Sequence, residues 1–429
     1  MREKIKSLLL FFLVLTSVYL TYKLWISFPQ NELSFINKKS TNTKVDIFRI
    51  IRPEYTFVGL QGKVYLVSDG NLSFSLWKKT TDFISSNKEE KINVVDENSW
   101  ENAQKGKFMR FLMGKSANGD LLKDIFSNRD SWSRKINSNV YVKEIIVNID
   151  KNQIFVKDAA NKKFYSFNYS EMEDLKNIIK NFPKDEVSVC ESVYEEGNAY
   201  FEKNVYIPSL TFSIKKIYSK ETNFESDPHF LEKFFTNISV VRKITENNGC
   251  TVYTDGLKSL RLYQNGYIEF YDTVSEASPT DKIFALRKSV VFLEEIGIKV
   301  DDIYLMDFKE EKGEYTFYFN YIFDYPLRIL QKEMLDFPIE INISNGNIKY
   351  ARVLYLDLMS NGSYLISHAK LKQPLAMGLK EINWREPLSD LKIGYAYYEG
   401  QFIPVWIGES NNKVFFINIF NGKLIYNGV

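Results

Sequence analysis

The sequence predicts an α+β protein: an N-terminal transmembrane helix, then an extracytoplasmic, multi-domain body of antiparallel sheets, each with helices on one face. Three observations carry this. A twenty-residue apolar run, Ser7–Ile26, opens the chain. Short runs rich in Val, Ile, Tyr and Phe, bounded by turn residues, recur through the remainder. Near the C-terminal end a helix followed by strands occurs twice, which predicts a helix-plus-sheet repeat.

At 1.5 Å per residue the opening run makes about 30 Å of helix, the thickness of a hydrocarbon core. Arg2, Lys4 and Lys6 precede it with only Glu3 against them, which places the N-terminus in the cytoplasm and everything after Ile26 outside. Lys23 lies near the outer end and reaches the interface, where Tyr22 and Trp25 form an aromatic belt. No small-x-small cleavage site follows, so the run reads as an uncleaved signal anchor rather than a cleaved signal peptide. Thr16, Ser17 and Thr21 give one side of this helix a small, weakly polar surface suited to contact with another membrane helix.

The chain has 429 residues, too many for one core, with 56 Lys plus Arg against 54 Asp plus Glu. So balanced a charge supplies no basic field and disfavours nucleic acid as a partner. The 27 Tyr and 33 Phe favour strands. Cys190 and Cys250 are the two cysteines, and their spacing leaves a disulfide or two separate thiols open.

The organisation reads as residues 1–27 for tail and anchor, 28–45 for a linker, then domains 46–182, 183–275 and 276–429. In the first, strands are expected at Asp46–Ile51, Lys63–Ser68 and Lys107–Met113, with helices at Leu76–Ile84 and Leu121–Phe126. A meander follows over Val140–Ile149, Gln153–Lys157 and Lys162–Phe167. Ser170-Glu171-Met172-Glu173 fits a capping box, and Pro183 ends the helix it opens. The middle domain has strands at Tyr200–Ile207 and Thr211–Tyr218, and a helix at Asp227-Pro228 carrying Phe230, Leu231, Phe234 and Phe235. Strands at Cys250–Thr254, Leu260–Tyr263 and Tyr267–Tyr271 come next, the last two joined through Asn265-Gly266 with both turn positions at positive φ.

In the last region a helix from Thr280 stops at Gly297. Strands follow at Ile303–Asp307, Glu314–Tyr321, Pro338–Ile343 and Ile348–Leu354. A second helix opening at Pro374 precedes strands at Lys392–Tyr398, Gln401–Ile407, Lys413–Ile419 and Lys423–Tyr426. Residues 341–350 and 417–426 share the pattern I-N-I-x-N-G-x-(I/L)-x-Y, so the turns Asn345-Gly346 and Asn421-Gly422 are expected to be one hairpin used twice.

No chemistry emerges. His229 and His368 lack spaced partners, no HExxH or His/Cys set offers a metal site, and no cofactor loop is present. The tetrads Ser75-Leu76-Trp77-Lys78 and Ser213-Ile214-Lys215-Lys216 lack the companions of serine acyl-transferases. Adjacent carboxylates such as Glu294-Glu295 do not face one another. No catalytic, cofactor-binding or metal residue is assigned.

Several stretches carry a resemblance over essentially the whole chain. They are Arg2-Glu3-Lys4-Ile5-Lys6-Ser7-Leu8-Leu9-Leu10, Ile50-Ile51-Arg52-Pro53, Tyr206-Ile207-Pro208, Val240-Val241-Arg242, Tyr253-Thr254-Asp255-Gly256, Phe319-Asn320-Tyr321, Tyr325-Pro326-Leu327 and Ile393-Gly394-Tyr395. Together they resemble the YycH family, single-span extracytoplasmic regulators of the WalK/YycG-type sensor histidine kinase of two-component systems in low-GC Gram-positive bacteria. One departure is Asp324-Tyr325 where the family has a glycine before its Pro-Val pair. The resemblance implies a non-enzymatic cell-membrane protein in cell-wall homeostasis. Its membrane helix would contact the kinase's helices and its body would assemble with YycI, a related single-span partner. Two other classes compete: a binding module for cell-wall fragments that uses an aromatic sheet face, and a wall-processing enzyme.

Overall fold

The structure is a computed structural model. It describes residues 13–17 and 19 and, from 49 onward, all but 90, 115–118, 120, 123–135, 137–138, 185–186, 194–200, 202–204, 221–223, 225–226, 228, 248, 274–280, 332–333, 383–387, 389, 411–412 and 429. Contacts divide the chain into Met1–Lys44 and Val45–Val429. In the first unit Leu13–Ser17 and Tyr19 are helical and exposed, and the Thr16 hydroxyl donates to the Leu13 carbonyl at 3.0 Å. Among the described residues no helix is long and apolar enough to cross a membrane. The rest of the expected span, with Arg2, Lys4, Lys6, Thr21, Tyr22, Lys23 and Trp25, and the 28–45 linker lie outside the described residues.

The second unit begins with a nine-stranded antiparallel sheet. Its strands are β1 (Tyr55–Leu60), β2 (Lys63–Val67), β3 (Lys91–Val95), β4 (Phe108–Leu112), β5 (Val142–Asn148), β6 (Gln153–Asp158), β7 (Lys163–Asn168), β8 (Ser188–Ser192) and β9 (Tyr206–Pro208). They pair in the order β3-β7-β6-β5-β4-β1-β2-β8-β9, so the expected meander β5-β6-β7 is present. Helices α1 (Gly70–Ser86), α2 (Glu97–Asn102) and α3 (Glu173–Lys180) interrupt the strands. Asp69 caps α1 by accepting from the Leu72 amide at 2.7 Å, which starts the helix six residues before the expected Leu76. Trp77, fully buried, meets Phe111 edge-on at 5.4 Å and donates its indole N–H to the Ile51 carbonyl at 2.8 Å.

Three local expectations change here, and a fourth is described only in part. Ile50 and Ile51 are buried but form a turn, because the Ile50 carbonyl accepts from Leu305 of another sheet. The capping box at Ser170 is not formed: Met172, fully buried, stands before α3 and no side chain caps it. Burial of Met172 delays the helix and leaves Ser170 exposed. Of Leu121–Phe126 only Leu121 and Leu122 are described, both helical and buried. The chain also crosses the seam expected at Pro183, since β8 and β9 return to β2 and complete the first sheet.

After β10 (Phe212–Lys220) the segment from Asp227 forms two 3-10 turns, Leu231–Lys233 and Ile238–Val240, instead of an α-helix. Three buried rings explain this: Phe230, Phe234 and Phe235 insert into the core, Phe234 meeting Phe270 at 5.4 Å, and aromatic residues have modest helix propensity.

A second, fourteen-stranded sheet follows. It starts with β11 (Arg242–Thr245), β12 (Thr251–Thr254), β13 (Lys258–Leu262) and β14 (Tyr267–Asp272). Helix α4 (Lys282–Glu295) precedes β15 (Ile303–Glu311), β16 (Glu314–Phe323), β17 (Tyr325–Gln331), β18 (Met334–Asp336), β19 (Ile339–Ser344) and β20 (Asn347–Leu354). β21 (Asp357–Ile366) pairs with β10 as a separate ribbon. Helix α5 (His368–Glu381) and the strands β22 (Asp390–Tyr398), β23 (Gln401–Ser410), β24 (Lys413–Asn418) and β25 (Leu424–Gly428) complete the chain. One wing runs β11-β12-β13-β14-β20-β19-β16-β15 and the other β17-β22-β23-β24-β25. They meet at the tight turn Phe323-Asp324-Tyr325, where Asp324 has φ 58°. The pair β17–β22 is parallel, an exception to the antiparallel expectation.

Each wing carries one helix, α4 against β16, β19 and β20, and α5 against β24. The order helix then four-stranded meander is thus repeated, with β17 and β18 inserted in the first copy. The turns differ, however. Asn345 (φ 50°) and Gly346 (φ 75°) make a two-residue hairpin, whereas only Gly422 (φ 71°) is left-handed in a four-residue loop between Asn418 and Lys423. The Asn418 side chain accepts from the Phe420 amide at 2.8 Å and holds that wider loop. Asn265 likewise lacks positive φ, since a three-residue turn with Gly266 at φ 85° joins β13 to β14. Helix α5 starts at His368, not Pro374: Leu371, Leu375 and Leu379 form one buried stripe that carries the helix through the proline.

Candidate functional site

The strongest polar constellation is buried where the first sheet meets both wings of the second. It starts in the strap Arg49–Glu54, which leads into β1. Arg49 pairs with Asp301 at 3.2 Å, and Arg52 donates to the Asp301 carbonyl at 2.6 Å. Pro53 keeps the strap extended and out of any ladder. Glu54 then turns inward. Its Oε1 accepts from the Tyr304 hydroxyl at 2.7 Å and from Arg328 at 3.1 Å, and its Oε2 faces Lys392 Nζ at 3.4 Å. Arg328 and Asn320 also donate to the Tyr304 oxygen, at 2.7 and 3.3 Å. Lys392 is held by Asp390 at 2.8 Å and Glu409 at 3.7 Å.

The Glu54 side chain is 2% exposed, and Arg328 and Lys392 are 5% exposed. Burial alone would raise the Glu54 pKa; Arg328 and Lys392, with the Tyr304 and Arg328 hydrogen bonds, outweigh it and hold the carboxyl down at about 2. Its charge raises Arg328 in return, and Asp390, Glu409 and Glu54 together raise Lys392, both against desolvation. On the first sheet Arg110 and Glu144 form a second buried pair at 2.8 Å, and Arg110 and Lys157 hold Glu144 at about 2 against burial. Glu54, Arg328, Lys392, Arg110 and Glu144 are each spent on another charge. The cluster is a lock between layers.

The residues singled out in the sequence lie elsewhere. Thr16 and Ser17 are helical and exposed, and the remaining membrane-topology residues are outside the described set. His229 pairs with Glu232 at 2.9 Å on the surface, and His368 with Glu191 at 2.8 Å, joining α5 to β8. Among the described residues no cluster of three or more His, Cys, Asp or Glu is placed to hold a metal. Cys190 and Cys250 are separate buried thiols. Lys216 of the second S-x-x-K tetrad stands over the Tyr364 ring at 4.6 Å.

No family model matches the chain. In sequence it is similar to the two-component system WalR/WalK regulatory protein YycH of Bacillus subtilis (strain 168), at 23% identity over 336 residues, covering 70% of this chain and 68% of that protein. In fold it matches the crystal structure of YycH from Bacillus subtilis with a TM-score of 0.58 and 17% identity, over 87% of this chain and 96% of that one. In sequence and in fold the chain is thus similar to YycH.

Four of the YycH-like stretches converge on the lock. Arg52-Pro53 ends at Glu54, Tyr325-Pro326-Leu327 ends at Arg328, Ile393-Gly394-Tyr395 follows Lys392, and Asn320 is a member of both. Sequence reading passed over Glu54, Tyr304, Arg328 and Lys392 because each looked like a polar residue beside or within a strand. The signal was a charge in an apolar run, as in Leu391-Lys392-Ile393 and Leu327-Arg328-Ile329.

Proposed function

We propose that this YycH-like chain regulates a WalK/YycG-type sensor histidine kinase, acting by contact rather than catalysis. The similarity to a WalR/WalK regulatory protein, over two thirds of both sequences, is the observation that carries the reading. In this reading Ser7–Ile26 anchors the protein in the cell membrane with its N-terminus inside, and the face bearing Thr16, Ser17 and Thr21 lies against the kinase's membrane helices. The body is outside and assembles with a YycI-like single-span partner. The strap supports a coupling role, because the first described residues after the linker are bolted to both wings.

Regulation requires that the protein bind one kinase conformation better than the other. A difference of about 1.4 kcal/mol shifts the population ratio tenfold. The test is photo-crosslinking in cells with the probe at Ser17 and Thr21, and at Phe12 and Leu13 as controls. Kinase adducts from Ser17 and Thr21 alone are the expected result; no kinase adduct from any position, with kinase and partner expressed, would reduce the helix to a tether.

A further inference from the structure

The first wing of the second sheet has one face filled by α4 and the Phe230, Phe234 and Phe235 rings, and an opposite face that is largely half-exposed. Two rows of side chains cross that face from strand to strand. One is Arg261, Glu269, Arg352, Glu340 and Tyr318, neighbours in register on β13, β14, β20, β19 and β16. The other is Thr254, Ser259, Tyr271, Tyr350, Asn342 and Thr316, from β12 to β16. At about 4.8 Å per strand the second row is about 24 Å long.

The chemistry of these rows is unusual for a face left to water. Tyr271, 37% exposed, lies beside Tyr350 with ring centroids 4.8 Å apart. Tyr318 adds a third ring, 4.6 Å from Phe337. Arg352 lies 4.2 Å over the Tyr267 ring and 3.8 Å from Glu269, which accepts from the Tyr263 hydroxyl at 2.7 Å. Asn342 donates to Thr316 at 2.9 Å, and its buried Oδ1 has no partner. Signs alternate along the first row, plus-minus-plus-minus, and the second row carries no charge between Arg242 and Lys309, the residues in register with its two ends. The second row holds no aliphatic side chain. It offers ring faces, hydroxyls and an amide.

We propose that this face binds an extended, uncharged glycan strand. Tyrosine rings complement the C–H faces of sugar rings, while paired Arg and Glu, Asn, Ser and Thr exchange hydrogen bonds with hydroxyl groups. The charge-free middle of the second row and the alternating signs of the first favour a neutral ligand with many small dipoles. A protein partner would want a dry apolar centre, yet the aliphatic residues in register with the first row, Val252 and the exposed Ile244, stand at its outer end on β12 and β11. The proposal is independent of the kinase reading, which rests on other residues.

The test is isothermal titration of the full chain in detergent with chitohexaose, and with dextran sulfate as the polyanion. Saturable heat with chitohexaose is expected, weakened about tenfold or more by Tyr271→Ala and by Tyr350→Ala, while Tyr271→Phe, which keeps the ring, binds within about threefold. Tyr271 is exposed, so its truncation leaves the fold intact, to be verified by an unchanged cooperative melt. The proposal is overturned if chitohexaose and cellohexaose give no saturable heat at millimolar concentration, if Tyr271→Ala binds like the unaltered chain, or if only dextran sulfate binds.

Discussion

One face of the first wing does two different things along its length. Near the strap, Tyr304 and Asn320 are covered by Glu54 and Arg328, whose charges are dry and paired. Two residues along β16 from Asn320, Tyr318 begins the half-exposed rows of Tyr, Arg and Glu. Both parts use the same residue types on the same pleat. Exclusion of water is what differs: it converts ion pairs into a rigid joint at one end, and its absence leaves them weak and available at the other.

The largest effect is expected from Glu54→Gln. It leaves Arg328 in the interior without its carboxylate partner and takes one of three carboxylates from Lys392, and unfolding in denaturant is expected to register a loss of about 3–5 kcal/mol. A loss below about 1 kcal/mol would show that the joint is as wet as the open face.

Acid separates the two regions next. Glu54 and Glu144 have folded pKa values of about 2, below the ordinary carboxylate value of 4.5. A depressed carboxylate contributes stability that is fully present above its unfolded pKa and is lost as pH falls through the folded one. Denaturation midpoints are therefore expected to fall between pH 4.5 and pH 2, and Glu54→Gln should flatten much of that fall. An unchanged profile in the variant would assign the acid sensitivity elsewhere.

On the open face the pairs are looser. Glu269→Gln keeps the acceptor for Tyr263 and removes only a 3.8 Å contact with Arg352, so its effect is expected to stay below about 1 kcal/mol. The smallest effect belongs to Asp301→Asn. The Arg49–Asp301 pair is 48% and 68% exposed, and its removal should cost no more than about 0.5 kcal/mol, vanishing in high salt.

Strands and helices of regular pattern were legible in the sequence because their signals are local. Lys63–Val67, Gln153–Asp158, Tyr267–Asp272 and the α4 stripe emerge close to their expected bounds. Ribbon strand β21 was not, since Ser360-Asn361-Gly362-Ser363 reads as a loop and is a strand only because β10 pairs with it. The matched Asn-Gly turns show the same limit: identical letters give a two-residue turn at Asn345 and a wider loop at Asn421, where Gly422 must pass the Pro374 carbonyl. The lock was least legible of all. The bonds of Glu54 join residues 250, 274 and 338 positions apart, and no window of sequence contains Glu54 together with any of these partners.

Those separations also impose an order in time. Glu54 leaves the ribosome early, Arg328 much later, and Lys392, Asp390 and Glu409 among the last. For most of synthesis the carboxylate that will end up driest has no counter-ion and must stay hydrated, and the lock is not complete until β22 and β23 are made. Pairings this distant close slowly. A chain cut short before β22 would carry the first sheet complete, with Glu54 held by Tyr304 and Arg328 but without Lys392.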